Sequence, residues 1–274
     1  MTDPTPRGEL VVAVLQFAPG ADSSANLDRL GALAREAAAD GARLIVAPEY
    51  SSYFAPQLDE SWISAAEDLD GAFVSGLITL AAETDAVIVA GMAERIPGES
   101  QRFSNTLVAV DANGVRAEYR KLHLYDAFGS RESDRIVPGA IVEPAVFEVD
   151  GIRVGLQTCY DLRFPEVTRR LVDAGAELVL IPSEWVRGPL KEHHWRTLVT
   201  ARALENTIYV AAPDHAPPIG AGSSMIVDPM GVALASLGEQ SGVAVARVTQ
   251  RRVAEVREIN PALALRRFAV VPRD

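Results

Sequence analysis

LVVAVLQF (residues 10–17) and RLIVAPE (residues 43–49) frame the reading of the whole chain. Each is a near-continuous apolar run rich in β-branched residues, the pattern of a strand covered on both faces rather than one with a face toward water. Between them Ser23 or Ser24 can cap a helix that carries Leu27, Leu30 and Leu33 on one side, and Gly41 can end it. This β-α-β opening implies an α/β layered architecture. The rhythm continues with strands predicted at residues 87–91, 105–111, 115–119, 145–149, 152–158, 177–182, 208–212, 225–228 and 243–248. Helices are predicted at residues 65–84, 165–174 and 190–206. Asn113-Gly114 and Asp150-Gly151 are two-residue hairpin signals, so part of the sheet must be antiparallel. The expected fold class is α/β, with two mixed sheets face to face and helices outside.

The 274 residues, 48% apolar, 23% charged and 6% aromatic, suffice to bury roughly three quarters of the unfolded surface, which excludes disorder. Length alone allows two domains at roughly 150 residues each. No Pro/Gly/Ser-rich linker, charge block or internal repeat divides the chain, so a single domain over residues 1–274 is expected. The net charge of −11 repels phosphate backbones and anionic lipid, arguing against nucleic acid and membrane as partners. One cysteine, Cys159, excludes an intrachain disulfide, a Cys-rich zinc site and a CxxC redox motif. No leader pattern or membrane-length apolar run is evident, and a reducing, cytoplasmic setting is expected.

Phosphate-loop, GxSxG and HExxH signatures are missing. The four histidines, His123, His193, His194 and His215, include no i, i+4 pair, so no metal is expected. What stands out is a set of reactive side chains at carboxyl ends of strands: Glu49 after LIVAP, Lys121 after VRAEYR and Cys159 after VGLQT. Loops there diverge around a cleft while the strand holds the side chain still. Singly, each has a plainer reading as a buried thiol, a turn cap and a solvated lysine. Together they support acyl transfer. A thiolate attacks an acyl carbon, an ammonium favours the thiolate and faces the developing oxyanion, a carboxylate moves protons, and a backbone N–H just after the nucleophile assists.

These residues stand in blocks that resemble the nitrilase superfamily of carbon–nitrogen hydrolases: APEY (residues 47–50), YRKLHLYD (119–126) and LQTCYDLRFPE (156–166). RESDRIVPG (131–139), ARALENTIYVAA (201–212) and SSMIVDPMG (223–231) extend the match over nearly the whole chain. The resemblance implies an αββα four-layer sandwich, a Glu49–Lys121–Cys159 triad, a thioester acyl-enzyme and no cofactor. It also implies Glu132 as a supporting glutamate, the Tyr160 backbone N–H as an oxyanion donor, a small-molecule amide substrate, and homodimers or larger homo-oligomers. CYDLRFPE is similar to the amidase branch acting on deaminated glutathione and on omega-amides of keto acids. Carbamoylase or nitrilase chemistry, or a catalytically silent binding protein of the same fold, are the alternatives.

The chain departs from that branch in a short loop over residues 123–132, in SEWVRGPLKEHHW after Pro182, and in Ser223 and Met230. Trp185, Tyr53 and Tyr125 are candidate pocket residues, with Trp185 expected to form an apolar wall that lets short aliphatic amides compete with keto-acid amides. For Arg163 and Glu166, local ion pairing is favoured over binding a substrate carboxylate, and His123 is assigned a structural role. The tail from about residue 260 to 274, apolar at its centre, reads either as a subunit contact or as an arm on its own domain.

Overall fold

The computed structural model describes residues 8–273; residues 1–7, which carry the leader reading, and residue 274 lie outside it. The first half runs β1 (Glu9–Gln16), α1 (Ser23–Ala39), β2 (Leu44–Val46), α2 (Glu60–Ala65), α3 (Ala72–Thr84), β3 (Val87–Arg95), β4 (Phe103–Asp111) and β5 (Gly114–Arg120). The second runs β6 (Val146–Val149), β7 (Ile152–Leu156), α4 (Pro165–Asp173), β8 (Leu178–Leu180), α5 (Lys191–Asn206), β9 (Tyr209–Ala212), β10 (Met225–Val227) and β11 (Ala233–Ser236). β12 (Gly242–Thr249) and α6 (Gln250–Ile259) follow.

The strands form two six-stranded sheets, ordered β12-β1-β2-β3-β4-β5 and β11-β10-β9-β8-β7-β6. Each has parallel pairing at its centre, β1-β2-β3 in one and β7-β8-β9 in the other, with antiparallel strands outside. The same succession of pairings therefore occurs twice, β1 to β5 matching β7 to β11 and β12 matching β6. The repetition is topological, which is why no internal repeat is readable in the residues.

Alternation explains the apolar runs. In β1, Val12 and Val14 point inward and meet Val154, Leu156, Leu178 and Leu180 of the opposite sheet. Ala13 and Leu15 point outward against Leu30 and Ala34 of α1 and Phe73 and Leu77 of α3. On the far side, Leu171, Trp195 and Val199 of α4 and α5 cover Val179, Ile181 and Val210. With about 1.5–3 kcal/mol for each fully buried aliphatic side chain, these three interfaces dominate the favourable side of folding. The result is the expected αββα sandwich.

Several expectations differ in detail. The helix cap is Asp22, whose carboxylate accepts the Ala25 amide at 3.1 Å, rather than Ser23 or Ser24. The helix expected over residues 65–84 begins only at Ala72, after the separate short helix α2, because Glu67 pairs its backbone with Ala93 and Arg95 while its carboxylate accepts the Phe73 amide at 2.9 Å. That pairing also carries β3 on to Arg95. Asp150 and Gly151, both with positive φ, close β6 and β7 as read, whereas Gly114 follows its turn and pairs with Asp111. β11, which is short and largely exposed, and α6, which is rich in charge, are additions to the sequence reading.

Candidate active site

The loops that follow β2, β5, β7 and β8 meet at one end of the sandwich, and there the three separated residues come together. Glu49, Lys121, Glu132 and Cys159 line one recess with Tyr160 and Glu184. Glu49 is held by its loop: the Ala47 amide donates to Val89 and the Gly91 amide to Pro48. β3 approaches so closely that a Cβ on Gly91 would lie 2.5 Å from the Tyr50 amide nitrogen, a position only glycine fills. Lys121 is fixed by its amide, which donates to Asn105, and by its carbonyl, which accepts from Gly139.

Glu49 Oε1 accepts from Lys121 Nζ at 3.0 Å and from Asn105 Nδ2 at 2.6 Å, and Oε2 accepts the Glu184 amide at 2.6 Å. Lys121 Nζ also donates to Glu132 at 3.0 Å. Glu132 is aimed by the Tyr125 amide at 2.7 Å and by the Tyr50 hydroxyl at 3.3 Å. Burial alone would lower the Lys121 pKa, but the charges of Glu132 and Glu49 reverse this and hold the ammonium well above its usual range. It is therefore a fixed cation between two carboxylates.

Cys159 opens a 3-10 turn, Cys159–Arg163, with φ at 41°, a left-handed conformation that costs a non-glycine residue about 1–3 kcal/mol and that recurs at functional sites. Its amide donates to Pro182 and its Sγ to the Glu184 carbonyl at 3.5 Å. Asp161 braces the turn, accepting the Thr158 amide, the Tyr119 hydroxyl at 2.6 Å and His123 Nδ1 at 2.8 Å. His123, stacked on Phe164 at 3.7 Å between centroids, thus has the structural role expected of it. The Tyr160 amide, near the start of the turn, donates to no group of the chain among the described residues. Burial, followed by the Glu49 charge, pushes the Cys159 thiol well up despite the opposing pull of Lys121. The ammonium does favour the thiolate, as expected, but burial and the Glu49 charge outweigh it.

Pocket residues divide. Trp185 and Tyr125 line the recess. Tyr53 does not: the turn from Tyr50 to Tyr53 sends its ring into the buried cluster around Trp62, 5.3 Å away, and Tyr50 faces the outer vestibule instead. Arg163 corrects the ion-pair reading. Among the described residues it makes no salt bridge; its Nε and one terminal nitrogen are buried without partners, and its guanidinium lies 4.7 Å from the Trp185 ring centre. Lys191 lines both recess and vestibule and donates to the Tyr125 hydroxyl at 2.9 Å. Burial, with Arg163 nearby, lowers its pKa. Glu166 likewise makes no ion pair among the described residues.

Sequence reasoning passed over Asn105, Glu184, Lys191, Asp214 and His215 as site residues. Asp214 accepts the amides of Trp185 and His215, and His215 Nε2 donates to the Glu49 carbonyl at 2.7 Å. The signal for Glu184 lay in IPSE after β8, which mirrors VAPE after β2.

Comparison with known proteins bears on the family and the fold. Residues 11–258 match the family model described as Carbon-nitrogen hydrolase. A deaminated glutathione amidase of Escherichia coli O157:H7 is 39% identical over 95% of this chain and 98% of its own length. The Caenorhabditis elegans NitFhit protein superposes with a TM-score of 0.86 at 28% identity, over 96% of this chain and 66% of that one. A glutamate-to-glutamine mutant of an amidase of Nesterenkonia sp. AN1, whose structure shows the result of Michael addition of acrylamide at the active-site cysteine, superposes at 0.76 with 28% identity, over 93% of this chain and 100% of that one.

Proposed function

The chain belongs to the carbon–nitrogen hydrolase family and is an amidase hydrolase, and from that premise we propose that it cleaves the C–N bond of a small carboxamide through a thioester on Cys159. The observation that carries this reading is the convergence of Glu49, Lys121 and Cys159, from three separate strand ends, on one recess. Glu49 takes the Sγ proton as the sulfur attacks the amide carbon and the C–S bond forms. Lys121 and the Tyr160 N–H face the oxyanion; their fixed positions mean no reorganisation at that moment. The tetrahedral carbon collapses, the C–N bond breaks, and Glu49 passes the proton to the departing nitrogen, giving ammonia. Water then attacks the thioester with Glu49 as base, the C–S bond breaks, and the proton returns to sulfur as the acid leaves. Glu132 holds Lys121 from the side opposite Glu49.

Two features shape the substrate. Trp185 supplies the wall expected of it, but that wall is not simply apolar: Lys191 and Arg163 lie over it, 5.3 and 4.7 Å from its ring centre. A carboxylate at the far end of the acyl chain meets these cations, which favours omega-carboxy amides over the plain aliphatic amides that a bare wall would admit. The exposed tail residues Leu265, Phe268 and Val271 support pairing with a second copy of the chain. Ammonia release across amides, ureido acids and nitriles tests the reading. Turnover of amides is expected, and turnover confined to nitriles or ureido acids would assign the chain to another reaction of the family.

A further inference from the structure

Glu184 is the carboxyl group that this mechanism leaves idle. Its backbone is fully engaged, the amide on Glu49 and the carbonyl under the Cys159 sulfur. Its side chain is not. Oε1 is shut away from solvent with no hydrogen-bond partner, and the residue lines both the recess and the vestibule outside it. A buried polar atom left without a partner costs about 1–3 kcal/mol, so such an atom at a substrate recess marks a place where the ligand supplies the missing bond. Lys191 lines the same wall, yet it makes no salt bridge with Glu184 among the described residues.

We propose that Glu184 is a specificity-determining residue, its carboxyl donating a hydrogen bond to an oxygen of the acyl chain beyond the scissile amide and so selecting oxygen-bearing chains over hydrocarbon chains of equal length. The proposal rests on the amidase reading. The groups that bear on the carboxyl are Glu49, Glu132, Asp214, Cys159, Tyr50 and Tyr125 on the acidic side, and Lys121 and Lys191 on the basic side. Burial, then the Glu49 charge, pushes its pKa well above the usual carboxylate range against the pull of the lysines. That shift favours the protonated form, which can donate. Once ionised it repels an anionic substrate.

The test compares succinamate with butyramide, in which a methyl replaces the carboxylate, by ammonia release between about pH 6 and about pH 10. Wild type is expected to show a KM for succinamate that climbs at alkaline pH, while that for butyramide stays flat. Glu184→Ala should raise the neutral-pH KM for succinamate by about tenfold, the loss of one good hydrogen bond, and move that for butyramide by less than about twofold. Glu184→Gln, which still donates but cannot ionise, should raise it by no more than about threefold and remove much of the alkaline climb. An undiminished climb in the Gln variant would assign it to Lys191 losing its proton and overturn the proposal. An equal loss on both substrates would do the same, since it would mean that the side chain only supports Glu49. Should wild type hydrolyse neither amide, the amidase reading fails first and the proposal with it.

Discussion

The two halves of the sandwich place a glutamate at equivalent points, Glu49 three residues beyond β2 and Glu184 four residues beyond β8, and treat them in opposite ways. Glu49 accepts three hydrogen bonds, from a lysine, an asparagine and a backbone amide, and is oriented from every side. Glu184 has an oxygen with no partner and a pKa driven upward by burial. The difference teaches that topology fixes where a carboxyl stands and its neighbours fix what it does. On the proposed reading one serves proton transfer at the reacting carbon, and the other meets the part of the substrate that differs from one amide to another.

The largest effect should come from Cys159→Ala, which removes the sulfur and little volume. Ammonia release is expected to fall to background with the melting temperature retained, and unchanged turnover would end the covalent account. Next, Glu49→Gln should cost about 100- to 10,000-fold in kcat while substrate still binds, because the amide cannot accept a proton. Lys121→Met should cost about 100- to 1000-fold through lost oxyanion stabilisation. If either variant kept a tenth of wild-type turnover, the half that holds Glu49 would lose its assigned role.

The outer side of the comparison is sharpened by Lys191→Met. It should raise the KM for succinamate by about 10- to 100-fold, the range for a charge-assisted bond, with a much smaller change for butyramide. Equal effects on both would show that Lys191 packs rather than binds.

An effect on stability rather than on turnover concerns the histidine that joins the halves. Burial lowers the His215 pKa from 6.5 to about 4 while its Nε2 donates to the Glu49 carbonyl. The unfolded chain therefore takes up this proton at a higher pH than the folded one. Stability is in place above pH 6.5 and is lost as the pH falls toward 4, by on the order of 3 kcal/mol. Urea denaturation of wild type and His215→Gln across that window measures it, and parallel pH curves would show that another group is responsible.

Much of this was legible beforehand, for particular reasons. Glu49, Lys121 and Cys159 each end an apolar or alternating run, so local pattern placed them at strand ends, and the motif blocks supplied the chemistry. Asn105 lies inside β4 with nothing local to set it apart; it matters because β4 brings its side-chain amide to Glu49 and its carbonyl to the Lys121 amide, pairings that no local pattern encodes. Glu184 depends on the isolated pairings of Ser183 with Asp214 and of Val186 with Gly220, contacts between segments more than 30 residues apart that no local pattern encodes. Arg163 looked like a member of an ion pair because an arginine three residues before a glutamate usually has one available. The chain turns at Phe164, and the guanidinium goes to the aromatic rings instead.

The central claim is that Cys159, served by Glu49, forms a covalent acyl-enzyme, and intact-mass analysis of the wild type quenched during turnover of a slow amide tests it most directly. The account predicts a species heavier by the acyl group alone, with ammonia already lost, mapping to the peptide that contains Cys159 and absent from Cys159→Ala. Ammonia release at an undiminished rate with no such adduct, or with the adduct on another residue, would contradict it.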